Sequence, residues 1–309
     1  MSAQFRVHLK YQLLLVIMKL NPSFTLLFLL VSSQLFSQTH EGLIDLKGFS
    51  QLVYYSPGHE GRAKEIAARC DRANAYFQSL FFFKPTTPLF VLGPAEWSTY
   101  GTFPIYGMPH YPETGSPRLI ISAEDNDFWR SFLPPLEKLP PALATKIKNA
   151  YTNKEGNLSM MAFFDLLALH ELGHGFHVQA KLKMQRLWMG ELFANIMLHT
   201  YIAENEPQQL LALETFPEMV VAAGSDEYQY TTLEKFEQQY DTMDPKNYGW
   251  YQCRLHVAAK NIYNAGGKDV LIKLWNALKS NSEKLTDQQL ADLLKSKVHP
   301  SVAEVMLKW

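Results

Sequence analysis

Residues 157–198 read NLSMMAFFDLLALHELGHGFHVQAKLKMQRLWMGELFANIML. Apolar residues recur at helical spacing on both sides of a short polar connection, and Asn157 or Ser159 can cap a helix running to Ala180. A second helix is predicted over 186–204. Within the first helix, His170-Glu171-Leu172-Gly173-His174 has the form H-E-x-x-H. Residues four apart share one face of a helix, so both imidazoles aim at a common point. Zinc accepts two such nitrogens at about 2.0–2.1 Å, and Glu171 is angled to reach a water beside the ion as general base. The alternative is a surface helix with two unrelated histidines. Phe163, Phe164, Leu166, Leu167, Leu169 and Leu172 mark a core helix instead. Buried histidines and a buried glutamate need partners.

A zinc site needs a third protein ligand. A glycine at 177 with a histidine at 180 would supply it in one known pattern, but those positions hold His177 and Ala180. A glutamate from the following helix is the other solution, and Glu191 lies 17 positions beyond His174, room for a turn and an antiparallel helix. Asn195, one turn further, is placed to hydrogen-bond the far nitrogen of a ligating histidine.

H-E-x-x-H followed by a helix carrying E-x-x-x-[DN] resembles the gluzincin metallopeptidases, which include thermolysin-like enzymes and alanyl aminopeptidases. The resemblance covers about residues 50–285 and is most specific at the zinc motif. It implies that His170, His174 and Glu191 hold one zinc ion and that Glu171 deprotonates the bound water. It also implies an oxyanion donor downstream. Tyr251 is the first candidate, 60 positions after Glu191, with Tyr248 in reserve and His256 third. A gluzincin-like catalytic domain further implies an edge strand beside the zinc on which peptide lies as an added strand. The segment Tyr106–Tyr111 or the strand after Arg118 is the candidate. Alanyl aminopeptidases place G-x-M-E-N there; this chain has Gly107-Met108-Pro109-His110 without the glutamate, which argues against exopeptidase action of that kind.

Outward from this centre the chain is α+β. Strands are predicted at 50–56, 89–92 and 118–122, a helix at 60–82 and a loop over 95–117. Residues 126–148 read as a connecting region with helical pieces. Further helices follow at 207–223, 230–240, 248–264, 267–280, 286–296 and 300–308. This divides the chain into an α+β lobe over 40–135 and a helical zinc-binding lobe over 136–309, expected to form one catalytic unit.

Before residue 38, Met18-Lys19, the apolar run Phe24–Val31 and a small-residue exit form a secretory signal pattern. Met18 is the more natural start, which would leave 1–17 untranslated. The expectation is a periplasmic or secreted protein, with an uncleaved membrane anchor as the alternative. The two cysteines, Cys70 and Cys253, can be a disulfide or two buried thiols. A net charge of −1 gives no footprint for nucleic acid. The first functional expectation is therefore an exported zinc metallopeptidase acting on a peptide or protein substrate. The second is a zinc-containing binding or assembly protein of the cell envelope with little turnover. The third is hydrolysis of a non-peptide bond.

Overall fold

The computed structural model describes residues 40–112 and 115–309. The expected signal segment 1–37, with the expected start at Met18, lies outside the described residues. Four strands form one sheet: β1 (Ile44–Leu46), β2 (Val53–Tyr55), β3 (Leu89–Leu92) and β4 (Leu119–Ser122), in that spatial order. β1 is antiparallel to β2, while β2, β3 and β4 run parallel, in register Val53↔Leu89↔Leu119. Every residue of β2, β3 and β4 is buried, as parallel strands covered on both faces must be. Alternation sorts their side chains. Val53, Tyr55, Leu89, Val91, Leu119 and Ile121 enter the main core, while Tyr54, Phe90, Leu92 and Ile120 pack with Trp97 on the other face.

The crossover from β2 to β3 is α1 (Glu60–Phe81), which buries Ile66, Ala67, Cys70, Ala73, Phe77 and Phe81 along one stripe. It ends at Phe82 in the left-handed region (φ 51°), before Pro85. The link from β3 to β4 contains α2 (Pro94–Tyr100). The remainder is helical: α3 (Asp127–Arg130), α4 (Pro141–Tyr151), α5 (Met161–Phe164), α6 (Leu167–Gln179), α7 (Leu187–Asn205) and α8 (Leu210–Ala222) come first. Then follow α9 (Leu233–Gln239), α10 (Pro245–Gly266), α11 (Lys268–Ser280), α12 (Asp287–Leu293) and α13 (Pro300–Leu307). Among the described residues no helix is long and apolar enough to cross a membrane.

The α+β class is present, and Gly42–Trp309 forms one compact unit. Its main core runs without a break from Leu46 to Val305. Phe81 of α1 stacks on Trp275 of α11 at 4.2 Å between centroids, so the sheet's own helix is packed into the helical layer. Three local readings differ. β1, at Ile44–Leu46, is not among the expected strands. α2 takes up the start of the expected loop 95–117, because Pro94 starts a helix rather than breaking one. The expected single helix 160–180 is interrupted at Asp165–Leu166, where Asp165 pairs with Arg62 of α1. Cys70 and Cys253 are separate buried thiols, which removes the disulfide alternative.

Candidate metal centre

The site is assembled where α6 and α7 cross. Gly173, inside the H-E-x-x-H stretch, makes the crossing close: a Cβ there would lie 2.8 Å from the Ala194 Cα. That approach brings Glu191 of α7 under the two histidines of α6. His170 Nε2 is 3.1 Å from His174 Nε2 and 3.1 Å from Glu191 Oε2, and His174 Nε2 is 3.4 Å from the same oxygen. His170 and Glu191 are buried and His174 is half-buried, and the three form a group that can hold a metal ion.

Hydrogen bonds behind the triad fix which way each group points. The Glu191 carboxylate only accepts, so Gln252 of α10 presents Nε2 to its Oε2 at 2.7 Å. Gln252 Oε1 then accepts from Asn195 Nδ2 at 3.2 Å. Asn195 Oδ1 is left to accept from His170 Nδ1 at 2.9 Å. A neutral His170 so held carries its lone pair on Nε2, facing the triad. The other Glu191 oxygen accepts from the Tyr240 hydroxyl. Burial alone would raise the Glu191 carboxyl; the adjacent His174 and His170 imidazoles more than offset it and hold it well below the usual carboxylate range.

Glu171, the residue after His170, meets the Met108–Tyr111 segment. Burial pushes its carboxyl up to about 7 against the lowering effect of His170, with Glu191 raising it further. A backbone N–H of Tyr111 donates to it. Tyr111 follows His110, which pairs antiparallel with Ile120 of the outermost strand β4, N to O at 3.1 Å and 3.0 Å. Both candidate edge segments are thus joined to each other, and the Met108–Tyr111 stretch is the one that borders the site.

Two cavities meet at Glu171. A cleft of about 500 Å³ runs between Met108–Tyr111, the His174 and His177 face of α6, Gly190 and Glu191 of α7, and Tyr240. A smaller cavity of about 90 Å³ lies on the other side of Glu171, walled by Phe128, Phe132, Phe163, Phe164 and Phe216. Tyr248 borders both. Its hydroxyl accepts from Gln252 Nε2 at 2.7 Å, and burial together with the Glu191 and Glu171 carboxylates pushes it well above the ordinary phenol range.

Of the three expected oxyanion donors, Tyr248 is therefore at the site. His256 lines the apolar cavity, its ring 6.2 Å from that of His170, and burial holds it well below the usual imidazole range. Tyr251 is not at the site. Its hydroxyl donates to the Thr232 carbonyl at 2.8 Å, and its ring packs on Phe236 and Trp309. The reason is helix phase. Site-facing positions on α10 are 245, 248, 249, 252, 253 and 256, and position 251 falls outside that stripe. Gln252, Tyr240 and His177 are the site residues that sequence reasoning missed. Only Gln252 had a usable signal, its i+4 spacing from Tyr248.

No protein-family model matches the chain, and no curated protein matches it either.

Proposed function

We propose that the chain is an exported zinc metallopeptidase of gluzincin type, hydrolysing peptide bonds in a polypeptide laid along the cleft. The observation that supports this most is the position of Glu171: its carboxyl stands on the wall shared by the cleft and the apolar cavity, beside three converging ligand atoms. Two imidazoles and one carboxylate are a donor set that zinc favours. Donors about 2.0–2.1 Å from a tetrahedral ion stand roughly 3.3–3.4 Å apart. The separations of 3.1, 3.1 and 3.4 Å in the triad fit that spacing with little movement.

Bound zinc would acidify a water and polarise the substrate carbonyl. The chain's own residues supply the rest. Glu171 takes the water's proton on its carboxylate and passes it to the leaving nitrogen. The Tyr248 hydroxyl, steadied by Gln252, donates to the carbonyl oxygen as negative charge develops there. Met108–Tyr111 offers an edge for an extended substrate backbone, and its junction with the Glu171 carboxyl ties that edge to the base. The phenylalanine-walled cavity next to Glu171 suits a bulky apolar side chain flanking the scissile bond.

The test is metal analysis of purified protein with cleavage profiling on a mixed peptide library, wild type against Glu171→Gln. The expected result is one zinc per chain in both proteins and cleavage only in the wild type. Absence of zinc would refute the reading. Zinc without cleavage in the wild type would instead favour an envelope binding or assembly protein.

A further inference from the structure

The two triad histidines are held from behind by different chemistry. His170 meets the Asn195 amide, but His174 Nδ1 lies 2.9 Å from Nε2 of a third imidazole, His177, one turn further along α6. His177 is itself fixed in place. Phe193 meets its ring edge-on (6.0 Å, 87°), and it fills the space beside Gly190, where a Cβ would come within 3.7 Å of its Nε2. A ligating histidine ordinarily hands its second N–H to a carboxylate, a backbone carbonyl or water. Here an imidazole receives it.

We propose that His177 is the positioning residue of His174, accepting the His174 Nδ1 hydrogen and so presenting the Nε2 lone pair to the metal. The proposal rests on the reading above only for the assignment of His170, His174 and Glu191 as ligands. A neutral imidazole carries one hydrogen on its two nitrogens. If His174 binds through Nε2, its hydrogen sits on Nδ1, and His177 Nε2 must accept it. The His177 hydrogen then sits on its own Nδ1. One contact sets two tautomers in series. A further consequence follows for charge. His170 is backed by an amide and His174 by a neutral ring, so among the described residues Glu191 is the one anion in contact with both ligating nitrogens. A divalent ion held there keeps net positive charge, which favours an acidic water and a polarised carbonyl.

The experiment compares wild type, His177→Phe and His177→Gln by zinc competition against a chromogenic chelator and by thermal unfolding of the metal-free proteins. Removing an outer partner of this kind typically weakens metal binding about 10- to 100-fold. His177→Phe is expected to do so with its metal-free unfolding unchanged. His177→Gln is expected to recover most of the affinity, because its amide oxygen can accept the same hydrogen. Zinc affinity in His177→Phe equal to wild type overturns the proposal. Nitrogen-15 NMR of the zinc-loaded wild type tests it without any variant: His177 is expected as the Nδ1–H tautomer, and an Nε2–H tautomer overturns it. Glu191→Ala separates the two levels. If that variant binds zinc as wild type does, the ligand assignment itself fails. If it loses zinc while His177→Phe does not, only the role of His177 fails.

Discussion

Tyr248 and Tyr251 stand three residues apart on one helix and have different surroundings. Three residues advance the helix by roughly 300°, which leaves the second side chain about 60° off the first. On α10 that rotation separates a hydroxyl between two cavities from one bonded to the Thr232 carbonyl. Tyr248→Phe is expected to lower kcat roughly 10²- to 10³-fold, the usual loss for one oxyanion donor, with zinc content and KM little changed. Tyr251→Phe is expected to leave turnover alone and to destabilise the fold by about 0.5–1.5 kcal/mol, the usual worth of one neutral hydrogen bond, because the buried Tyr251 side chain loses its bond to the carbonyl of the exposed Thr232. Steady-state kinetics beside chemical denaturation of both variants distinguishes the two roles; equal kinetic losses would refute the assignment. The candidate ligands and the asparagine behind them were readable because their spacing lies within helices: four residues for His170 and His174, four again for Glu191 and Asn195. The choice between Tyr248 and Tyr251, and the presence of Tyr240, depend on how α9 and α10 are rotated against α7. No periodicity states that.

The helices themselves were legible for the same reason. A buried stripe at spacing three and four is written in the chain for α1, α10 and α11, while α7 is buried all round from Trp188 to Ile202; the ends of all four match expectation to within a few residues. What was not legible is where tertiary contacts override local pattern. The break between α5 and α6 coincides with the Asp165 carboxylate reaching Arg62, 103 residues away in sequence. The closeness of α6 and α7 is a property of the pair, and Gly173 is its sequence trace. Gly173→Ala puts a Cβ 2.8 Å from the Ala194 Cα, a backbone atom that no rotamer change can move. Overpacking of this kind costs about 1–3 kcal/mol, against about 1 kcal/mol gained from the better helix propensity of alanine. The helices must separate, and Glu191 moves away from the histidines. Weaker zinc binding and a lower unfolding temperature are expected together. Gly61→Ala in α1, where nothing lies within 4 Å of the added Cβ, is the control and should be neutral or slightly stabilising. Unchanged zinc affinity in Gly173→Ala would show that the close crossing does not set the triad.

At the scale of the molecule, α1 ties the sheet to the helical layer by ion pairs as well as by its aromatic stripe. Arg69 and Arg72 hold Glu206 at the C-terminal end of α7, at 3.0 Å and 2.9 Å. α7 is the helix that carries Glu191, so this clamp and the candidate metal centre share one element. Burial pushes the Glu206 carboxyl up, but the Arg72 hydrogen bond and the Arg69 charge more than offset it, and its pKa falls below the ordinary carboxylate value. A carboxyl depressed in the folded state contributes stability that is fully present above its unfolded value, roughly pH 4.3. That contribution is lost as the pH falls through the lower folded value. The wild type should therefore lose stability on acidification more steeply than Glu206→Gln. At pH 7 the variant is expected to be less stable by about 2 kcal/mol, the usual worth of hydrogen bonds to a charged group. The difference should narrow toward pH 3, where the wild-type carboxyl also takes up a proton. Urea unfolding of both proteins in metal-free buffer from pH 3 to 7 measures it, without interference from ligand protonation at a loaded site. A constant difference across that range would mean that the clamp acts through packing rather than charge. A narrowing one would mean that the junction between sheet and helices is held electrostatically, and that acid loosens it through α7, the helix that presents Glu191.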